Sequence, residues 1–340
     1  MRKAKTAFAG LAAVVAAGLV LAGCGANTDT SGNGGDSGST DKVEITDSIT
    51  IAVAPDFMFT EYYVADVEKT FEQFGIEAKL VEYPSAYESL EAVVSGQADI
   101  TSASATLLVS LAGKGAAIRA TAQNTHLADW VSLVASGDVD IKKPEDMVGL
   151  SVGATFNGIM DYAARQFLTA HDLTVDQLDY QDVKYAQLLP ALQSGSVDVV
   201  TLAEPNTSKA LDSIAGSYEV LDSRDYGSLY AFLIMNTKIV DNEDLRFRIL
   251  DSMQATYDLI NKDQTVAIEK AMQNSGLTDK AQAEAIQKKV TYGLNFEETP
   301  LEWAADIAEY YREMGLITAS DDEVFELYDT DGFAAWAAAR

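Results

Sequence analysis

The sequence predicts an α/β protein of two lobes, each a mostly parallel sheet flanked by helices, with two crossover strands joining them. Three observations lead there. β-branched runs alternate with helically spaced apolar residues from residue 48 onward. A string reading helix, Ser-Gly, Asp, strand occurs twice, its Ser-Gly pairs 99 residues apart (Ser95-Gly96 and Ser194-Gly195). From Asn242 the chain is helical, with apolar stripes that suit covering a sheet.

The chain opens with Arg2, Lys3 and Lys5, then an alanine-rich apolar run over 8–21 that ends in Leu21-Ala22-Gly23-Cys24. The run is short for a membrane span and meets small residues at once, so residues 1–23 read as a cleaved lipoprotein signal peptide and Cys24 as the lipidated residue. Residues 24–47 are expected to form a tether. Positions 25–40 read GANTDTSGNGGDSGST, a composition that buries too little to offset its ordering entropy, with a reach of roughly 20–25 Å. Cys24 is the only cysteine, which excludes an intramolecular disulfide, cysteine-ligated zinc and paired-cysteine redox chemistry. Removing the signal leaves 317 of 340 residues, enough for two lobes. The chain carries 24 basic and 52 acidic residues, a net charge of −28. Such acidity argues against nucleic acid and against an anionic membrane surface, leaving the lipid as the only membrane contact.

Each element follows from its spacing. Residues 48–54 (SITIAVA) form the first strand, and 62–74 the first helix, with Tyr63, Val67, Thr70, Phe71 and Phe74 on one face and Gly75 as its stop. Residues 77–83 give a strand, 87–94 a helix and 98–101 a strand. The second copy runs strand 150–154, helix 159–170, strand 178–183, then the helix ending at Ser194-Gly195 and a strand over 197–202. The apolar segments 130–135 and 229–235 read as the crossovers. Lobe one is therefore expected to comprise 48–135 plus 229–340, and lobe two 136–228, with a hinge between them. Two C-terminal stripes, Ile249, Leu250, Met253, Tyr257, Ile260 and Trp303, Ile307, Tyr310, Tyr311, Met314, read as core covering the first lobe.

Most catalytic signatures are absent. No Gly-x-Ser-x-Gly elbow, complete phosphate loop or Gly-x-Gly-x-x-Gly follows a strand. His126 and His171 are the only histidines and belong to no metal-binding spacing. Around Gly332 a calcium loop would need carboxylates at its first and twelfth positions, where Leu327 and Ala338 stand. Neither a metal nor a cofactor is expected. A pair of carboxylates acting on a glycosidic bond stays open, as does a cell-surface interaction role, because both depend on spatial separation.

Taken with the lipobox and tether, the chain resembles the solute-binding lipoproteins of ABC importers, in particular the nitrate/sulfonate/taurine and thiamine-pyrimidine-precursor binding group. The residues that carry the resemblance are Tyr63-Val64-Ala65, Phe74-Gly75-Ile76, the string Ser95 to Ile100, Gly153-Ala154-Thr155 and Ala203-Glu204-Pro205. The resemblance implies a type II periplasmic-binding fold, a monomer without enzymatic activity. It would capture a small molecule in an interlobe cleft and pass it to a membrane permease on the extracytoplasmic side.

In open α/β sheets a ligand sits beyond the carboxyl ends of the strands, where loops and helix N-termini offer free N–H groups. Three corners answer to that: Asp56, Phe57 and Phe59 after the first strand, Ser102 and Ser104 after the third, and Thr155, Phe156, Asn157 and Gly158 after the first strand of the second lobe. Phe57, Phe59, Tyr62 and Phe156 are expected to stack on a flat ring. Glu204 follows the strand 197–202, where the resemblance implies a lobe-two ligand contact. An acid there, with no arginine or lysine in any corner, favours a donor-bearing aminopyrimidine over nitrate, taurine or another sulfonate.

Overall fold

The computed structural model describes residues 43–296 and 298–340. The expected signal peptide, Cys24 and most of the tether lie outside the described residues. Asp47, assigned to the tether, instead opens the first strand.

Eleven strands form two sheets among the described residues. In chain order they are β1 Asp47–Val53, β2 Ile76–Glu82, β3 Ile100–Ser104, β4 Ile118–Leu127, β5 Val131–Ala135, β6 Ser151–Ala154, β7 Asp179–Asp182, β8 Val199–Ala203, β9 Tyr218–Glu219, β10 Leu229–Asn236 and β11 Val290–Asn295. The first sheet has the order β11-β4-β10-β3-β1-β2, the second β7-β6-β8-β5-β9. Each begins with a parallel triplet, β2-β1-β3 or β7-β6-β8, built by helical crossovers, and continues with antiparallel strands. The sheets are thus mixed rather than mostly parallel. An apolar string such as β5 or β10 does not declare the direction in which it pairs.

The repeated Ser-Gly-x-x-Asp string has one physical role in both places. Gly96 and Gly195 adopt positive φ (75° and 70°), which glycine tolerates, and so turn the chain out of a helix. The aspartate then clamps the incoming strand to its parallel neighbour. Thr50 N donates to Asp99 Oδ2 at 2.8 Å and Asp99 N to Thr50 O at 2.8 Å; Ser151 N donates to Asp198 Oδ2 at 2.9 Å and Asp198 N to Ser151 O at 3.0 Å.

The chain passes between sheets at 128–130 and 227–228. Val131 through Ala135 pair in register with Ala203 back to Val199, so β5 belongs to the second sheet and the expected division after residue 135 falls some residues too late. The two passages are laced together: Trp130 N and Val131 N both donate to Gly227 O, at 3.1 and 2.9 Å, and Asp129 N donates to Ser228 Oγ at 3.2 Å. A Cβ on Gly227 would stand 1.8 Å from Val131 O, so only glycine lets the passages approach this closely.

Strands β3, β5 and β8 are buried along their whole length. The long helix Glu243–Lys262 buries Ile249, Leu250, Met253, Tyr257 and Ile260 in the core of the first sheet, each such side chain stabilising by roughly 1.5–3 kcal/mol. In the helix Glu298–Glu313, Ile307 and Tyr311 are buried, while Met314 beyond its end is exposed.

Candidate functional site

A cavity of about 350 Å³ lies between the two sheets. Its walls come from the carboxyl ends of all six parallel strands: Ala54, Pro55, Asp56 and Met58 after β1, Pro84 to Tyr87 after β2, Ser104, Thr106 and Leu107 at the end of β3, Thr155 and Gly158 to Met160 after β6, Tyr185 after β7, and Ala203 ending β8. Trp130 and Leu229, beside the two passages, complete it. This is where an open α/β sheet leaves backbone N–H groups unspent, and the volume suits a small organic molecule. A depression of about 470 Å³ lies elsewhere, between helices Ile159–Ala170 and Glu298–Glu313, away from the strand ends.

Four expected site residues meet in the cavity: Asp56, Ser104, Thr155 and Gly158. Asp56 caps the short turn Phe57–Phe59, its Oδ1 accepting from Met58 N at 2.9 Å. Burial raises its carboxyl above the ordinary range, a shift that the Met58 N–H only partly offsets. Ser104 Oγ pairs with Thr106 Oγ1 at 2.8 Å and caps Leu107 N, fixing the wall after β3. Thr155 Oγ1 donates to Val183 O at 2.9 Å. A Cβ on Gly158 would meet nothing within 4 Å, so the lack of a side chain there leaves cavity space rather than relieving a clash.

The other six lie elsewhere, for definite reasons. Phe57 and Phe59 are completely buried, because the turn after β1 carries both rings into the first core; neither is available for stacking. Phe57 instead packs edge-on against Trp130, ring centres 5.7 Å apart, and so backs the aromatic side chain that does line the cavity. Phe156 does not line the cavity; it stacks on Tyr180 at 5.1 Å with the Arg165 guanidinium 5.8 Å from its ring centre. Asn157, at φ 63°, contributes backbone: its N–H donates to Asp161 Oδ2 at 3.4 Å and its carbonyl accepts from Tyr311 Oη at 3.0 Å.

Ser102 belongs to a sealed polar cluster. Asn124 Nδ2 donates to Ser102 Oγ at 2.7 Å and to Glu61 Oε1 at 3.0 Å, Ser102 Oγ reaches Glu61 Oε1 at 3.2 Å, and Tyr62 Oη lies 2.9 Å from Ser102 Oγ. Glu61 has no cationic partner there, and burial pushes its carboxyl up to about 8.

Glu204 is 1% exposed and spent on its neighbours. Lys289 Nζ, just before β11 in the first sheet, donates to its Oε1 at 2.7 Å; Arg224, beside the return passage, approaches the same oxygen at 3.3 Å; Ser208 Oγ donates to Oε2 at 2.8 Å. Burial alone would raise this carboxyl, but Lys289, Ser208 and Arg224 outweigh it and hold it below the usual range. Glu204 therefore joins the two sheets instead of facing the cavity.

The contacts between Glu298–Glu313 and the second lobe are absent from the sequence reading, which assigns its aromatic stripe to core alone. Tyr310 Oη donates to Asp161 Oδ2 at 3.1 Å, and Asp161 also holds Arg165 Nε at 2.7 Å and Tyr180 Oη at 2.9 Å. Trp130, Met160 and Tyr185 are likewise cavity residues without a motif; their signal is only that each stands within a few residues of a strand end. Among the described residues no group of three or more His, Cys, Asp or Glu is placed to hold a metal, and no helix is long and apolar enough to cross a membrane.

Two lobes, each with a parallel triplet and an antiparallel extension, around a cavity at the strand ends define the periplasmic-binding-protein architecture. The family model described as NMT1/THI5 like matches residues 56–267, more than half of the chain, and the chain belongs to that family. The alkanesulfonate-binding protein SsuA from Xanthomonas axonopodis pv. citri, solved bound to MOPS, is similar with a TM-score of 0.69 at 14% identity, covering 83% of this chain and 97% of that one. The periplasmic aliphatic sulphonate binding protein SsuA from Escherichia coli gives 0.69 at 16%, covering 79% and 88%. A Candida albicans gene product described as exhibiting the generic periplasmic binding protein structural fold gives 0.65 at 12%, covering 82% and 94%. At these identities the likeness is one of fold. No curated protein matches the chain in sequence.

Proposed function

We propose that this chain is the extracytoplasmic receptor of an ABC importer, held at the membrane by a lipid on Cys24, capturing a small organic solute and delivering it to a permease. The observation that carries this reading is the cavity itself, walled by the ends of all six parallel strands from both lobes. A guest there touches both halves at once, which is the condition for coupling occupancy to lobe closure. Family membership and fold support the same role. Its function is affinity and closure rather than bond chemistry.

A heterocycle such as a thiamine precursor fits this cavity better than a sulfonate, taurine or nitrate, because the lining contains no lysine, arginine or histidine. Glu204 takes no part in this selection, because Lys289 and Arg224 occupy its carboxylate.

A thermal-shift screen of taurine, alkanesulfonates, nitrate, aminopyrimidines and riboflavin tests the reading. A ligand at a hundred times its Kd adds about 2.7 kcal/mol of stability and raises Tm accordingly. An aminopyrimidine giving the largest shift is the expected result. If no solute in the screen, and none co-purifying with the protein, stabilises it, the receptor reading fails.

A further inference from the structure

We propose that Asp56 is the residue that selects the solute, and that the solute is an apolar or aromatic body carrying a positively charged nitrogen: an amine, amidine or protonated heterocycle. This deepens the receptor reading and rests on it.

Asp56 is the only acidic residue of the cavity lining, which holds no lysine, arginine or histidine. Its Oδ1 serves the backbone, accepting from Met58 N, while Oδ2 has no hydrogen-bond or ion-pair partner among the described residues. Tyr185, Glu61 and Tyr292 lie close enough to feel its charge, and none of them is a cation. Two other acids at the junction are paired instead: Glu204 has Lys289 and Arg224, and Asp161 has Arg165. Asp56 is half-buried, and a carboxylate partly withdrawn from water without a counter-charge is costly; the cost is recovered when a bound cation supplies a charge-assisted hydrogen bond. An anionic solute would meet this carboxylate as a like charge with no basic group to compensate.

The remaining walls suit the rest of such a molecule. Trp130, packed edge-on with Phe57, lines the cavity as its indole, and Met58 and Met160 offer adaptable apolar contact.

The test uses three-membered series that keep one ring and change only charge: benzamidine, benzamide and benzoate; tryptamine, tryptophol and indole-3-acetate. Calorimetric titration of the full mature protein is expected to rank cation over neutral by about tenfold or more, with no measurable binding of the anion. Asp56→Asn keeps the oxygen that accepts from Met58 N, so it should fold with an unchanged or higher Tm while losing the preference for the cation. Equal or tighter binding of the neutral or anionic members, no binding by any cationic member, or an Asp56→Asn protein that keeps the preference would overturn the inference. Those results leave the receptor reading standing if a sulfonate, nitrate or riboflavin binds, whereas a protein that binds no solute of any charge overturns both.

Discussion

Glu204 and Asp56 are two acids at the junction of the same two lobes, and the fold treats them in opposite ways. Glu204 is surrounded by Lys289, Arg224 and Ser208, and its carboxyl is held below the ordinary range. Asp56 sits on the cavity wall with one backbone N–H for company, and its carboxyl is raised. The first arrangement is what a buried charge needs to contribute to stability; the second sacrifices stability where a guest can restore it. The difference separates the part of the junction that joins the lobes from the part left open to solute.

The sharpest way to break the joined side is Gly227→Ala, which drives a methyl group into Val131 O and should cost about 3 kcal/mol or more, read as a collapse of Tm. Glu204→Gln comes next. Lys289 and Arg224 keep side-chain exposures of 24% and 23%, so water softens the loss of their partner, and a penalty of about 2 kcal/mol is expected in denaturant melts. The carboxyl titrates low in the fold, so its contribution is complete above the unfolded-state value and disappears as pH falls through the lower folded one. The gap between wild type and Glu204→Gln should therefore close in acid.

On the open side the sign reverses. Asp56→Asn should raise the stability of the ligand-free protein by about 1 kcal/mol near pH 7, because a half-buried carboxyl that is costly to ionise is removed. A loss instead would mean that Asp56 has a counter-charge in solution, and the contrast with Glu204 would dissolve.

Glu61 sharpens the comparison further, being unpaired like Asp56 but sealed from the cavity. Its folded value of about 8 against an ordinary 4.5 means that the fold holds the extra proton between those values, so its share of stability falls as pH rises through that window. Glu61→Gln should flatten this slope, with a Tm gain at pH 8 and little change at pH 5, and should leave solute affinity untouched. A changed affinity would place Glu61 in the binding machinery.

Much of this was legible in the residues. The βα alternation and the paired Ser-Gly-x-x-Asp strings announce two related sheets, and Asp99 and Asp198 perform the same clamp in each. The rule that ligands lie beyond strand ends points to loops that meet around one cavity, and Asp56, Ser104, Thr155 and Gly158 line it. Direction within a loop was not legible. A single short turn sends Phe57 and Phe59 into the core, and nothing in their spacing distinguishes that from facing a guest. Glu204 reads as a loop acid until Lys289, 85 positions away, is folded against it. The antiparallel setting of β5 and β10 is hidden for the same reason: strand direction is settled by partners far along the chain.

Whether solute enters between the sheets is decided by a crystal structure of the mature protein with the best-stabilising solute. It should show the solute against Trp130 and Met160, with a nitrogen within hydrogen-bond distance of Asp56 Oδ2. A solute seated in the depression between helices Ile159–Ala170 and Glu298–Glu313, with the inter-sheet cavity left empty, would contradict it.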